Sequence, residues 1–187
     1  NSFPGLTNKW LGKIADKVAV SFKDSAKFFL KEKVAVTGNM IREDFCQPRE
    51  MFPKEPNGLF RVLVLGGSQG AHSINVAMME ALKSLKDKQK DIHITHQTGE
   101  SDFERVKSQY ENSGISHDVR PFIDNMAEQY RKASLVICRA GATTLAEVTA
   151  CGKVSVLIPY PHAAHNHQEN NAQVLNAANA GELVLDQ

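Results

Sequence analysis

From position 61 onward, short apolar runs alternate with longer stretches in which apolar residues recur every three or four positions. The runs Arg61–Leu65, Asp91–Gln97, Ser116–Arg120, Leu135–Cys138, Val154–Ile158 and Glu182–Leu185 have the length and flanks of strands. Between them, Ala71–Lys86, Ser101–Glu111, Asn125–Lys132 with Asp124 as its cap, Thr143–Cys151 and Gln168–Ala180 have helical spacing. Such alternation with short joints predicts an α/β protein whose parallel sheet is covered on both faces. Right-handed crossovers make it a doubly wound, Rossmann-like fold. The first 60 positions are less regular. Ala15–Phe22 and Val34–Thr37 read as strands, and Ser25–Phe29 as a short helix. Gln47–Gly58 holds three prolines and reads as a linker.

In a doubly wound sheet, ligands bind beyond the carboxyl ends of the strands. Five loops lie there, and three carry unusual chemistry. After Leu65 comes Gly66-Gly67-Ser68-Gln69-Gly70-Ala71, a glycine turn opening a helix. Free backbone N–H groups and the positive end of a helix dipole suit a phosphate, and the Ser68 hydroxyl adds a donor. The alternative is a tight strand–helix turn with no ligand. The loop lacks both the G-x-G-x-x-G spacing of dinucleotide folds and a Walker lysine, and no convincing acidic partner follows the next strand, so a dehydrogenase is disfavoured.

After Cys138, Arg139 stands where a guanidinium could meet an anion or orient a carboxylate. Glu147 follows Thr143 by one helical turn, so both share a face. A carboxylate there can accept both hydroxyls of a ribose, or it is a surface glutamate on an amphipathic helix. The third loop, Pro159–Asn171, holds His162, His165 and His167, whose spacing matches no structural zinc pattern. Its amide-rich end, Gln168-Glu169-Asn170, suits sugar hydroxyls, which need paired donors and acceptors. On the strand before Thr98, His96 and Gln97 read as satisfied core or rim groups, with Thr98-Gly99 as possible cleft lining. Phe122-Ile123 offers an apolar edge and backbone hydrogen bonds to a base, or else a hydrophobic staple.

Composition narrows the classes. The chain has 187 residues, 42% apolar and 23% charged, with net charge +1. That describes an ordinary globular protein, and it gives no basic footprint for nucleic acid. No apolar run reaches membrane-spanning length, and no signal peptide is expected. Cys46, Cys138 and Cys151 are odd in number and widely spaced, which favours reduced thiols in a cytosolic compartment. The chain opens at Asn1 without an initiating Met and is expected to be a piece of a longer protein.

GGSQGA (66–71), PFIDNMAEQY (121–130), CRAGATTLAE (138–147) and IPYPHAAHNHQENNA (158–172) together resemble, in this order, the MurG family of bacterial peptidoglycan glycosyltransferases. PGLTNKWLGKIADKVAVSF (4–22) is similar to the end of that family's first domain, and VTGNMIREDF (36–45) to the segment leading into its second. The resemblance covers essentially the whole chain. It implies the GT-B architecture, two Rossmann-like domains facing a cleft, and transfer of N-acetylglucosamine from UDP-N-acetylglucosamine to lipid I, giving lipid II. By it, residues 1–37 end the first domain, 38–58 form a hinge segment, and 59–187 are the donor-binding domain, lacking a final helix.

Carried over residue by residue, Ser68 and the backbone of Gly67, Gln69, Gly70 and Ala71 would hold the diphosphate, faced by Arg42. Ile123 would meet uracil through its main chain, and Glu147 the ribose. Gln168, with Glu169, would read the sugar, and Arg139 would support the site. No metal or cofactor is implied. The catalytic base and the lipid I site are expected in the missing domain. The implied location is peripheral, on the cytoplasmic face of the bacterial membrane. Two departures stand out: Met40 where the family usually has proline, and His72 where it often has arginine. The competing readings are another UDP-sugar enzyme of this architecture, such as a UDP-N-acetylglucosamine 2-epimerase or a glycolipid synthase, and a non-catalytic UDP-sugar-binding subunit.

Overall fold

The computed structural model describes residues 2–46 and 58–186, so the predicted linker lies, Gly58 aside, outside the described residues. The chain runs α1 (Leu6–Ile14), β1 (Val18–Val20), β2 (Val34–Val36), β3 (Phe60–Leu65), α2 (His72–Ser84), β4 (Ile92–Gln97), α3 (Phe103–Glu111), β5 (Ser116–Arg120), α4 (Met126–Lys132), β6 (Leu135–Cys138), α5 (Ala142–Ala150), β7 (Val154–Leu157), α6 (His167–Ala177) and β8 (Gly181–Leu183). Strands β1 and β2 form a parallel pair, with Val18 opposite Val34. The other six form one parallel sheet in the order β5-β4-β3-β6-β7-β8.

That order is the doubly wound one. The chain enters at the centre, builds outward to β5, then returns to lay β6, β7 and β8 on the other side. The direction reverses between β3 and β6, which pair from Val62↔Leu135 to Leu65↔Cys138. A crevice opens above such a reversal because the two following loops diverge to opposite faces.

β3 shows why the sheet sits between two layers. Leu63 and Leu65 point into a core built with Tyr130, Val136, Leu145, Val148 and Leu157. Val62 and Val64 point the other way, into a core of Ile74, Met78, Leu82, Ile94, Val106 and Tyr110. A strand buried on both faces needs no polar alternation, which is the continuous apolar run read in the sequence.

Most predicted elements are present within a residue or two of their expected ends. Three points differ. α1 occupies a stretch for which the sequence reading assigns no element. Its apolar residues Leu6, Trp10, Leu11 and Ile14 recur at helical spacing but are exposed. The first strand shrinks from Ala15–Phe22 to Val18–Val20, the residues paired with β2. Asp124 is not the cap of α4. Asn125 occupies that position, and its side-chain amide donates to Glu128 Oε2 at 2.7 Å instead of capping the backbone.

Candidate functional site

The turn after β3 is built by three glycines with different duties. Gly67 has φ +89° and Gly70 φ +77°, in the region that favours glycine. The Gly70 N–H closes the turn on Gly67 O at 3.1 Å. A side chain on Gly70 would collide with Thr98 O, and one on Gly99 with Gln69 O, so the two loops pack backbone to backbone. A side chain on Gly66 would collide with the Ala71 backbone, whereas Gly67 faces open space. Only the Gly67–Gln69 tip of the turn is exposed. Helix α2 begins just after it, with no side chain among the described residues capping its first turn.

A polar network behind this turn fixes its position. Asn75, buried in α2, donates to Thr98 O at 2.9 Å and to Asp102 Oδ2 at 2.8 Å. Its carbonyl is thereby left as the acceptor for His96 Nε2–H at 3.0 Å, and His96 Nδ1 accepts from the Tyr110 hydroxyl at 3.1 Å. These bonds specify the neutral imidazole with its proton on Nε2. Burial pushes His96 down to about 4, which agrees with a neutral ring. Burial works to raise Asp102, but hydrogen bonds from Asn75 and His72, with the charges of His72 and Arg105, hold it below the usual carboxylate range.

A cavity of about 470 Å³ opens above the reversal of the sheet. Leu65, Gly67 and Ser68 line it from β3 and its turn, and Gln97 from the end of β4. Gln97 is buried and ties two walls together. Its amide donates to Gly67 O at 2.9 Å, and its carbonyl accepts from Ile123 N–H at 2.8 Å. Phe122, Ile123, Met126 and Tyr130 form the next wall; the Phe122 ring is exposed, and the Ile123 side chain is buried in the core.

The opposite wall comes from Arg139, Thr143, Thr144 and Glu147. Burial raises Glu147 above the ordinary glutamate range, while Tyr130 and the charge of Arg42 act in the other direction. Arg139 is locked in place. Its guanidinium reaches Asp186 Oδ2 at 2.7 Å, Ser73 Oγ at 2.8 Å and Pro159 O at 3.0 Å. Ser73 also donates to Asp186 at 2.7 Å, so β6, α2 and the loop after β7 meet at one charged node.

Arg42 closes the cavity from the segment before the linker. The Asn39 amide donates to Thr143 Oγ1 at 3.1 Å, Arg131 donates to Asp44 O, and Phe45 is buried against Tyr130 with ring centroids 5.5 Å apart. Arg42 lies over the Phe45 ring at 5.2 Å and 3.5 Å from Asp44. Met40 is exposed, and the segment is held on both sides of it without the proline.

Residues 61–187 match the family model described as the glycosyltransferase family 28 C-terminal domain. The chain belongs to this family. It is 48% identical over its whole length to proteins of Geobacter metallireducens and Geobacter sulfurreducens. Both are named UDP-N-acetylglucosamine--N-acetylmuramyl-(pentapeptide) pyrophosphoryl-undecaprenol N-acetylglucosamine transferase, and in each the match covers 52% of the protein. The chain thus spans about half the length of these relatives. Among solved structures, Acinetobacter baumannii MurG is 31% identical with TM-score 0.79, over 100% of this chain and 52% of that one. A glycotransferase of kitacinnamycin, 14% identical with TM-score 0.64 over 91% of this chain and 42% of that one, shares the fold alone.

Against this family 28 frame, the residues singled out from sequence divide clearly. Arg42, Gly67, Ser68, Ile123, Arg139 and Glu147 meet around one cavity. Gly70, Ala71 and Thr98-Gly99 do not line it, because they are the packed base of the turn. Gln69 is exposed outside the lining. Ile123 has its N–H occupied by Gln97, leaving the carbonyl as its main-chain group for a base. Gln168 and Glu169 also lie outside the lining. Gln168 Oε1 accepts from Tyr160 N–H at 3.0 Å, and the Tyr160 ring lies under the Arg139 guanidinium at 5.5 Å. Sequence reasoning missed Tyr130 and Thr144 as lining residues. Tyr130 sits seven positions after Ile123 on the apolar stripe of α4, where nothing separates a core tyrosine from a cleft tyrosine.

Proposed function

We propose that this chain is the donor-binding half of an inverting transferase that moves N-acetylglucosamine from UDP-N-acetylglucosamine to lipid I, making lipid II. The observation that carries the reading is the meeting, in one cavity at the reversal of the sheet, of an open glycine turn, a cation and a half-buried carboxylate. The exposed tip Gly67–Ser68 at the start of α2 suits the diphosphate, and Arg42 supplies positive charge beside it. The Ile123 carbonyl suits the uracil N–H, and ionised Glu147 suits two vicinal hydroxyls. Gln168 and Glu169, at the start of α6, are left for the sugar. Relatives along the whole chain carry the transferase name, which favours this reading over an epimerase, a glycolipid synthase or a separate binding subunit.

In this reading the acceptor hydroxyl attacks C1 of the sugar, the C1–O bond to the β-phosphate breaks, and UDP leaves. Negative charge grows on the β-phosphate, where Arg42 and the amides opening α2 act as preorganised donors. The base that takes the acceptor proton and the site for lipid I belong to the other half of the protein. Among the described residues no helix is long and apolar enough to cross a membrane. A lipid acceptor supports peripheral attachment to the membrane, with the cytoplasmic face as part of the same proposal.

Calorimetry on this chain tests the reading. UDP-N-acetylglucosamine is expected to bind in preference to UMP and NAD. Ser68→Ala and Glu147→Ala are each expected to weaken it by about 1.5–3 kcal/mol, roughly 10- to 100-fold, because each removes a hydrogen bond to or from a charged group. Unchanged affinity in both variants would defeat the assignment.

A further inference from the structure

Tyr130 is the one cavity-lining side chain whose polar atom is both fully buried and without a hydrogen-bond partner among the described residues. An unmet buried hydroxyl costs stability, so a reason for it is required. The hydroxyl could be removed at no cost to packing, since the ring is held independently, edge-on against Phe45 in the core. Its neighbour is the Glu147 carboxylate. The two groups are close enough to interact, with Tyr130 favouring the ionised acid, yet they stand outside good hydrogen-bond geometry.

We propose that Tyr130 is a positioning residue for Glu147: on nucleotide binding its hydroxyl donates to one carboxylate oxygen, fixing the carboxylate so that it accepts a vicinal diol and making the pocket selective for ribose over 2′-deoxyribose. The inference rests on the reading of Glu147 as the ribose carboxylate. A half-buried carboxylate can rotate about its last bond unless a donor holds it. Each hydroxyl of a diol needs its own acceptor direction, so rotation costs the diol more than it costs a single hydroxyl. A donor rising from α4 removes that freedom. Unlike a lysine or arginine it adds no charge that would hold the carboxylate permanently to the protein.

Several charged or titratable groups surround Glu147. Arg42 and Asp44 approach from the segment before the linker, Tyr130 from α4, Cys138 from β6 and Cys151 from the end of α5. Burial pushes Cys138 up to about 12, aided by the charge of Glu147, and burial also raises Cys151, so neither thiol titrates in the acid range. Loss of the Tyr130 hydroxyl removes a group that stabilises ionised Glu147. The carboxyl then protonates at higher pH, and binding that needs the ionised form is lost earlier as pH falls.

The test compares the chain with Tyr130→Phe by calorimetry. The ligands are UDP-N-acetylglucosamine, whose diphosphate keeps its charge through the acid range, and its 2′-deoxyuridine counterpart. Tyr130→Phe is expected to melt no lower than the parent chain. It should bind the ribose ligand roughly tenfold more weakly and the deoxy ligand within about twofold of the parent. The acid limb of the ribose-ligand profile should move to higher pH. Glu147→Gln should abolish that limb, which separates Glu147 from Asp44, and adding Tyr130→Phe to it should cost nothing further. Equal weakening of both ligands, an unmoved limb, or additive losses in the double variant would overturn the inference while leaving the donor site in place. If the parent chain binds neither ligand, the donor-site reading falls and this inference with it.

Discussion

Gly70 and Ser68 stand two positions apart in one turn and do different things. Gly70 has a positive φ and no room for a Cβ beside Thr98. Gly70→Ala is expected to lower stability by about 1–3 kcal/mol from backbone strain alone, and by more from the collision. Urea unfolding measures this, and an unchanged midpoint would show that the two loops do not pack as described. Ser68 is exposed, so Ser68→Ala should leave the same midpoint untouched while weakening the nucleotide sugar. The sequence shows that GGSQG turns and opens a helix. It cannot show which glycine faces a ligand, because that depends on Thr98-Gly99, brought alongside by β4. Glu147 was legible as a carboxylate on the same face as Thr143, able to accept a diol or to be a surface glutamate. Its half-buried setting comes from Tyr130 and Arg42, which reach it from separate elements.

The strands and helices were more legible than their contacts. Continuous apolar runs mark β3 and β6 because these strands are covered on both sides. α1 is not marked in this way: its apolar residues Leu6, Trp10, Leu11 and Ile14 are exposed. The cap of α4 was misplaced by one residue, since side-chain bonding in that turn runs from Asn125 to Glu128.

The network joining α2, β4 and α3 runs through Asn75, His96 and Tyr110; the sequence reads His96 as a satisfied core or rim group but does not name its partners. The network has a pH consequence. His96 binds its proton at about 6.5 when unfolded and only at about 4 when folded. The unfolded chain therefore takes up the proton first. The stability contribution is complete above about 6.5 and is lost as pH falls to about 4, a loss of about 3 kcal/mol. Urea unfolding across that range should show it, and a His96→Gln variant should have a flatter profile. Parallel profiles would contradict the buried neutral imidazole.

The six-stranded sheet and its crevice follow from the order in which the strands were laid down, and strand–helix alternation was enough to foresee them. The β1–β2 pair was foreseen as two strands but not as a pair, because pairing between segments separated by the Lys23–Phe28 turn leaves no local pattern. The chain covers about half of its family 28 relatives, and in the proposed mechanism the base lies in the other half. The chain alone is therefore expected to bind UDP-N-acetylglucosamine without transferring sugar to lipid I. Lipid II formed by this chain alone would place the base within residues 1–187 and contradict that division.

Amide NMR of the chain during titration with UDP-N-acetylglucosamine reports where the nucleotide sugar sits. Saturable shifts are expected at Gly67, Ser68, Ile123 and the Thr143–Glu147 turn of α5, with the outer strands β5 and β8 quiet. Shifts centred away from the β3–β6 crevice, or none at millimolar ligand, would contradict the donor-site reading.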